Sequence, residues 1–170
     1  EKNIPELFVP NVFSVATEGK EFRYGSVRMP IDLWGPWRLE EEAILPSMQQ
    51  VEKAVTSMLR PNVVLDLLAN FTAYATHKGK QRIKIIARYQ QVDGVNKIVA
   101  RVVAGKTRKG LIWHFQGSGK SLLMLFAARK LRLHPALKNP TVLVVEAHQR
   151  ESPRGCQSPA VWRIQAQRCR

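Results

Sequence analysis

Five consecutive residues, Gly117-Ser118-Gly119-Lys120-Ser121, carry the clearest chemical potential in this 170-residue chain. Two glycines can adopt backbone angles that a side chain would forbid, so the loop's amides can turn inward on an anion. Lys120 can set a point charge against the outer phosphates of a nucleotide, and the Ser121 hydroxyl can serve a Mg2+ ion. A helix opening near Gly119 would add its positive end to the same spot. The apolar run Leu111 to Phe115 ahead of the loop predicts a buried parallel strand, and with the helix behind it the layout is that of a phosphate-binding loop. The usual pattern has a first Gly with four residues between it and Gly119, at the place held here by His114.

The elements that must hold this loop can be read from the flanking chain. A helix is expected from Lys120 to about Leu133, with Leu122, Leu125, Phe126 and Leu131 apolar, stopped by His134-Pro135. Asn139-Pro140 then precedes a strand, Thr141 to Val145, so a βαβ unit with a right-handed crossover and a parallel sheet is expected. Upstream, Arg82 to Ala87 reads as a strand. Arg88-Tyr89-Gln90-Gln91 leads into a helix with Val92, Val95, Ile98, Val99, Val102 and Val103 facing inward, followed by a basic loop from Ala104 to Gly110.

Before this comes a region of different character. Leu7 to Val27 predicts a β-hairpin turning at Thr17-Glu18-Gly19-Lys20. Glu18-Gly19-Lys20 has the Glu-x-Lys spacing of metal-dependent nucleases, but an ordinary hairpin turn is the expectation. Met29 to Arg38 reads as a loop in which Trp34 and Trp37 either stack on bases or anchor the segment to the core. Ser47-x-x-Gln50 resembles a capping box ahead of a helix with Val51, Val55, Met58 and Leu59 at helical spacing. Pro61 suits the start of a second helix whose apolar face is Val64, Leu65, Leu68, Phe71 and Ala75, ended by His77-Lys78-Gly79-Lys80. From Glu146 onward the chain is rich in Gln, Arg, Pro and Ser, without periodicity and without an expected strand.

Composition narrows the class. Hydrophobic residues make up 45% of the chain, enough for a core, and no apolar run approaches a membrane span. Cytoplasmic residence is the expectation, since the N-terminus has neither a basic start nor an apolar signal segment. Cys156 and Cys169 have no metal-ligand spacing around them, so neither a zinc site nor a disulfide framework is expected. The net charge of +14 is unevenly distributed. Thr76 to Lys138 holds fifteen Lys or Arg and a single acid, Asp93, whereas Glu1 to Ala75 holds ten acids. A basic segment that also carries a nucleotide loop points to a polyanionic partner.

Arg108-Lys109-Gly110-Leu111-Ile112-Trp113-His114-Phe115-Gln116-Gly117-Ser118-Gly119-Lys120-Ser121-Leu122 closely resembles the first helicase motif of the motor-and-cleavage (R) subunit of type I restriction–modification enzymes. In that family His commonly stands where His114 does. Leu67 to Phe71 and Ile86 to Val92 resemble the same family's approach to its motor, and Pro10-Asn11 to Gly25-Ser26 its connecting region after the nuclease. The resemblance covers roughly Leu7 to Val145.

What it implies is an α/β fold: a partial helicase-type (RecA-like) phosphate-loop βαβ unit, preceded by a β-hairpin and connector helices. Residues 1–40 would be the end of a nuclease domain with its connector hairpin, 41–80 a helical linker, 81–145 the first part of a motor domain, and 146–170 an atypical, frameshifted or foreign tail. The implied protein is an ATP-driven translocase that pumps double-stranded DNA and cuts it at a distance, in complex with modification and specificity subunits and away from membranes. By position, Gln116, Gly117, Ser118 and Gly119 would form the nucleotide cradle. Lys120 and Ser121 would be the catalytic pair on phosphate and Mg2+, with Ser121 toward the metal and ATP as cofactor. Gln91 resembles the glutamine that reads adenine; Gln90 beside it is an alternative, and so is a helix-start role for Gln91. The acidic Mg2+ motif, the second motor domain and the nuclease acids are expected outside this stretch, so weak nucleotide binding and little hydrolysis are expected of it alone. Other readings are a fragment of a DEAD/DEAH-type helicase or another phosphate-loop NTPase, and a non-catalytic basic DNA-binding module.

Overall fold

The computed structural model describes residues 5–8, 10–38, 47–77, 81–106, 110–112, 114, 117–146 and 162–167. The chain is mixed α/β and divides into two compact units, Glu1–Asp93 and Gly94–Arg170.

The first unit opens with the expected hairpin. Strand β1, Phe13–Thr17, runs antiparallel to β2, Phe22–Ser26, with Phe13 opposite Ser26 and Thr17 opposite Phe22. Gly19 takes φ +87° in the turn, and its amide donates to Thr17 Oγ1 at 3.2 Å. A two-residue strand β3, Gly35–Pro36, adds to the other edge of β2. Along β2, Phe22, Tyr24 and Ser26 turn to one face and are buried. Gly25, on the opposite face, lies under the Trp34 indole, so close that a Cβ there would sit 2.5 Å from Cδ1. Trp34 Nε1 donates to the Met29 carbonyl at 3.0 Å, and the Trp37 ring meets Tyr24 edge-on with centroids 5.7 Å apart. Both tryptophans therefore anchor the segment, which is the second of the two roles open to them.

Helix α1, Met48–Met58, buries Val51, Ala54 and Met58 along one stripe. Ser47 is its N-cap, but the side chain makes no capping hydrogen bond, so the expected capping box is not formed there. Helix α2, Pro61–Asn70, has Pro at its first turn as expected. It is shorter than the periodicity suggested. Phe71 closes it, its amide bonding the Leu67 carbonyl, and Thr72–His77 is strand β4 rather than a last helical turn. Thr72, Tyr74 and Thr76 alternate in strand fashion, and β5, Gln81–Ile86, offers an antiparallel ladder from Thr72 opposite Ile86 to His77 opposite Gln81. Residues 78–80, expected to end a helix, lie outside the described residues. The buried side of α2 also differs: Leu67 is fully buried while Leu65 and Leu68 are exposed, because α1 and β4 pack against the other face.

Helix α3, Tyr89–Ala104, begins in the first unit and continues into the second, where Val95 and Val99 are buried. Helix α4, Lys120–Leu133, packs on strand β6, Thr141–Glu146. Leu123, Met124, Phe126, Ala127 and Leu131 form its buried side. Leu125, expected inside, is 53% exposed. The residue on either side of it packs instead, because the face is set by where β6 and α3 lie. Gly94 of α3 comes so near α4 that a Cβ would meet Leu123 Cδ1 at 2.9 Å and His114 Cε1 at 3.7 Å.

Three expectations about this unit are corrected. Among the described residues every strand pairing is antiparallel, and no parallel sheet is present. Leu111 is 77% exposed and Ile112 is exposed too, and neither is in a strand; Trp113 and Phe115 lie outside the described residues. The tail, read as lacking strands, contributes β7, Trp162–Gln167, which pairs with β6 from Thr141 opposite Gln167 to Glu146 opposite Trp162. The hydrogen-bonding edge of β6 is thus met by Trp162-Arg163-Ile164-Gln165-Ala166-Gln167, whose apolar–polar alternation is a strand pattern that the expectation of a tail without periodicity passed over.

Candidate functional site

The backbone directly ahead of α4 is set by its glycines. Gly117 and Gly119 both have φ +80°, in the left-handed region where a Cβ is penalised. Gly119 is the N-cap of α4, so Lys120 and Ser121 are its first two helical residues. The early amides of a helix have no partner within it and point outward along the axis. Gly117 is exposed with nothing within 4 Å of a virtual Cβ, Ser118 is buried at 1% exposure, Lys120 is half-buried and Ser121 exposed. Gln116, expected in the cradle, lies outside the described residues. The local backbone suits a phosphate group: two left-handed glycines, a 14-residue helix opening directly behind them, and a lysine and a serine at that opening.

Among the described residues no group of three His, Cys, Asp or Glu gathers to hold a metal ion. A serine hydroxyl beside nucleotide phosphates is nonetheless the environment that suits Mg2+, which keeps water and phosphate oxygens as most of its ligands. His114, half-buried, stands close to the Gly94 backbone, so its ring is part of the packing between the loop approach and α3. Arg101, Lys106, Arg129, Arg132 and Lys138 are exposed, which presents the basic charge of this unit to solvent. Lys130 is drawn to the Asn96 side chain at 2.7 Å.

Gln91 belongs to the first unit. It is 2% exposed, and its Oε1 accepts the Arg88 backbone N–H at 2.9 Å. This is the returning half of a capping box: the third helical residue reaches back to the N-cap amide. Gln90 is half-buried beside it. The amide of the preceding residue, Ala87, donates to the Phe71 carbonyl at 2.9 Å, and the Ala87 carbonyl accepts the Tyr24 hydroxyl at 2.8 Å. Nothing in the sequence marked Tyr24 as a neighbour of this helix start; the contact spans 63 residues, and only the stacking of β2 on β5 creates it. Burial pushes the Tyr24 phenol well above its ordinary range. Glu18 and Lys20 are exposed at the hairpin turn.

Residues 90–150 match the SWI2/SNF2 ATPase family, a span that contains the glycine loop, α4 and β6. The chain is 36% identical over 151 residues to the type I restriction enzyme HindI endonuclease subunit of Haemophilus influenzae, a match covering 84% of this chain and 14% of that protein. It is 32% identical over 116 residues to a Methanocaldococcus jannaschii protein assigned as the type I restriction enzyme MjaVIIP endonuclease subunit, covering 64% of this chain and 11% of the relative. A second protein of that organism, assigned as the MjaIXP endonuclease subunit, is 30% identical over 162 residues, covering 84% of this chain and 16% of its own length. The chain thus spans less than a fifth of the length of each relative. Among the described residues no helix is long and apolar enough to cross a membrane.

Proposed function

The chain belongs with the endonuclease subunits of type I restriction enzymes, as a homologue of one segment of them, and from that premise we propose that it carries the nucleotide-gripping part of an ATP-dependent DNA-translocating restriction subunit. The observation that supports this most is the coincidence of the glycine loop, left-handed at Gly117 and Gly119 and opening α4 at Lys120, with the span that resembles an ATPase family. In this reading residues 1–40 are the end of a nuclease domain with its connector hairpin, 41–80 a linker, 81–145 the N-terminal part of the first motor domain, and 146–170 an atypical end.

Lys120 holds the outer phosphates of ATP, the amides around Gly117 to Gly119 cradle them with Gln116 alongside, and the Ser121 hydroxyl faces the metal. Mg2+, when bound, neutralises charge on the phosphoryl oxygens. The catalytic contribution of Lys120 is electrostatic, since phosphoryl transfer is accelerated mainly by placed charge and position. Gln91 reads adenine. Exposed Arg and Lys of the basic segment bind double-stranded DNA through its phosphates, and the whole subunit acts with modification and specificity subunits in the cytoplasm.

Thermal melts of the chain with ATP and Mg2+ test the core of this reading. A melting temperature that climbs with ligand concentration in the native chain and does not move in Lys120→Ala is the expected result. No shift at millimolar ATP–Mg2+, or an equal shift in Lys120→Ala, would refute it.

A further inference from the structure

The entry to α3 is held at three successive points, and one of them comes from the N-terminal hairpin. The Ala87 amide is taken by Phe71 of the β4 approach, the Ala87 carbonyl by the Tyr24 hydroxyl, and the next amide, Arg88, by Gln91 Oε1. A backbone N–H can only donate, so the atom facing it must be the carboxamide oxygen of Gln91, and this decides which end of the side chain points where. A carboxamide that meets adenine engages it with donor and acceptor together, so its orientation matters as much as its presence.

Tyr24 is set firmly enough to act as the reference point. It is 3% exposed, its ring is braced by Trp37, and its strand is hydrogen-bonded on both edges, by β1 and by β3. Lys84 of β5 ties the same hairpin a second time, donating to the Asn11 carbonyl at 2.6 Å. A rotation of the Ala87–Arg88 peptide would move both its carbonyl, held by Tyr24, and its N–H, held by Gln91. The two hydrogen bonds lie on one rigid peptide plane.

We propose that Tyr24 is a positioning residue for base selection: by holding the Ala87 carbonyl it fixes the peptide whose N–H orients the Gln91 carboxamide. The inference rests on the adenine-reading role assigned to Gln91 above. It makes the hairpin a support for the Gln91 carboxamide rather than a spacer, and it needs no contact between Tyr24 and the nucleotide.

The test compares ATP and GTP binding, with Mg2+, by the native chain and by Tyr24→Phe, Trp37→Phe and Gln91→Ala, alongside amide hydrogen exchange. Tyr24→Phe should lower ATP affinity about five- to tenfold, as expected for one misplaced hydrogen bond, and leave GTP affinity as it was. Its Arg88 and Gln91 amides should exchange faster while the β4–β5 ladder keeps its protection. Trp37→Phe, which spares the hydroxyl, should lower the melting temperature and keep the preference for ATP. If Tyr24→Phe weakens ATP and GTP equally, or leaves the Arg88 amide protected, the positioning role is overturned. If Gln91→Ala retains the native ATP preference, the adenine reading itself fails, a result separable from the first because the exchange measurement involves no nucleotide.

Discussion

The Arg88 amide donates to Gln91 Oε1 at 2.9 Å, so the glutamine that resembles an adenine reader also closes the first turn of its own helix. A capping box had been expected at Ser47 and Gln50, where no side-chain cap forms. Both stretches place Gln three residues after the cap. The difference is burial. Gln91 is enclosed, so its oxygen has little water to compete for it, whereas Gln50 is half-buried beside an exposed helix start.

Gln91→Leu should therefore destabilise the first unit by about 1 kcal/mol, the usual cost of losing a cap bond with volume retained. Gln50→Leu should change stability by less than about 0.5 kcal/mol, since no cap bond is lost. Urea unfolding of the two variants decides between these expectations.

Alkaline pH should reveal Tyr24. Its folded pKa lies above the ordinary phenol value of 10.0 because burial disfavours the phenolate. The unfolded chain then ionises this group first. The associated stability is fully present below about pH 10 and is lost as pH rises from there toward the folded value. Tyr24→Phe should be less stable than the native chain at neutral pH by about 1 kcal/mol and should show a shallower alkaline decline. Melting temperatures measured from pH 7 to 11 check both parts.

Gly25, opposite Ser14 of β1, and Gly35, opposite Tyr24 of β2, should respond differently to alanine. A Cβ on Gly25 would overlap the Trp34 ring, which is itself pinned through Nε1, and should cost about 1–3 kcal/mol with a change in tryptophan emission. A Cβ on Gly35 meets nothing within 4 Å and should be close to neutral.

At the loop, Gly117→Ala adds a methyl to open space, so any penalty comes from φ +80° alone and should be about 1–2 kcal/mol. If the loop grips phosphate in this backbone shape, ATP–Mg2+ affinity should fall in Gly117→Ala while the affinity for double-stranded DNA in low salt stays as it was. Nucleotide titration and a salt-dependent DNA-binding assay on the same variant give the comparison.

The amino-acid sequence alone determined the features that depend on neighbours in the chain. The hairpin turning at Gly19, the start of α2 at Pro61, the opening of α4 behind Gly119 and its end at His134 all follow from backbone freedom, ring constraint or a missing donor acting over a few residues. The Gly117 to Ser121 spacing was legible for the same reason, and so was the resemblance to type I restriction endonuclease subunits that the homologues bear out. Tertiary structure decided what depends on distant partners. Helix periodicity could not tell that Thr72 to His77 would leave α2 for a ladder with β5, nor that Leu67 and not Leu68 would face inward. Alternation in Trp162 to Gln167 marks a strand, but not that its partner would be β6. Above all, no local rule joins Tyr24 to Ala87, because their hydrogen bond exists only once β2 has docked on β5 and shut out the water that would otherwise satisfy both groups.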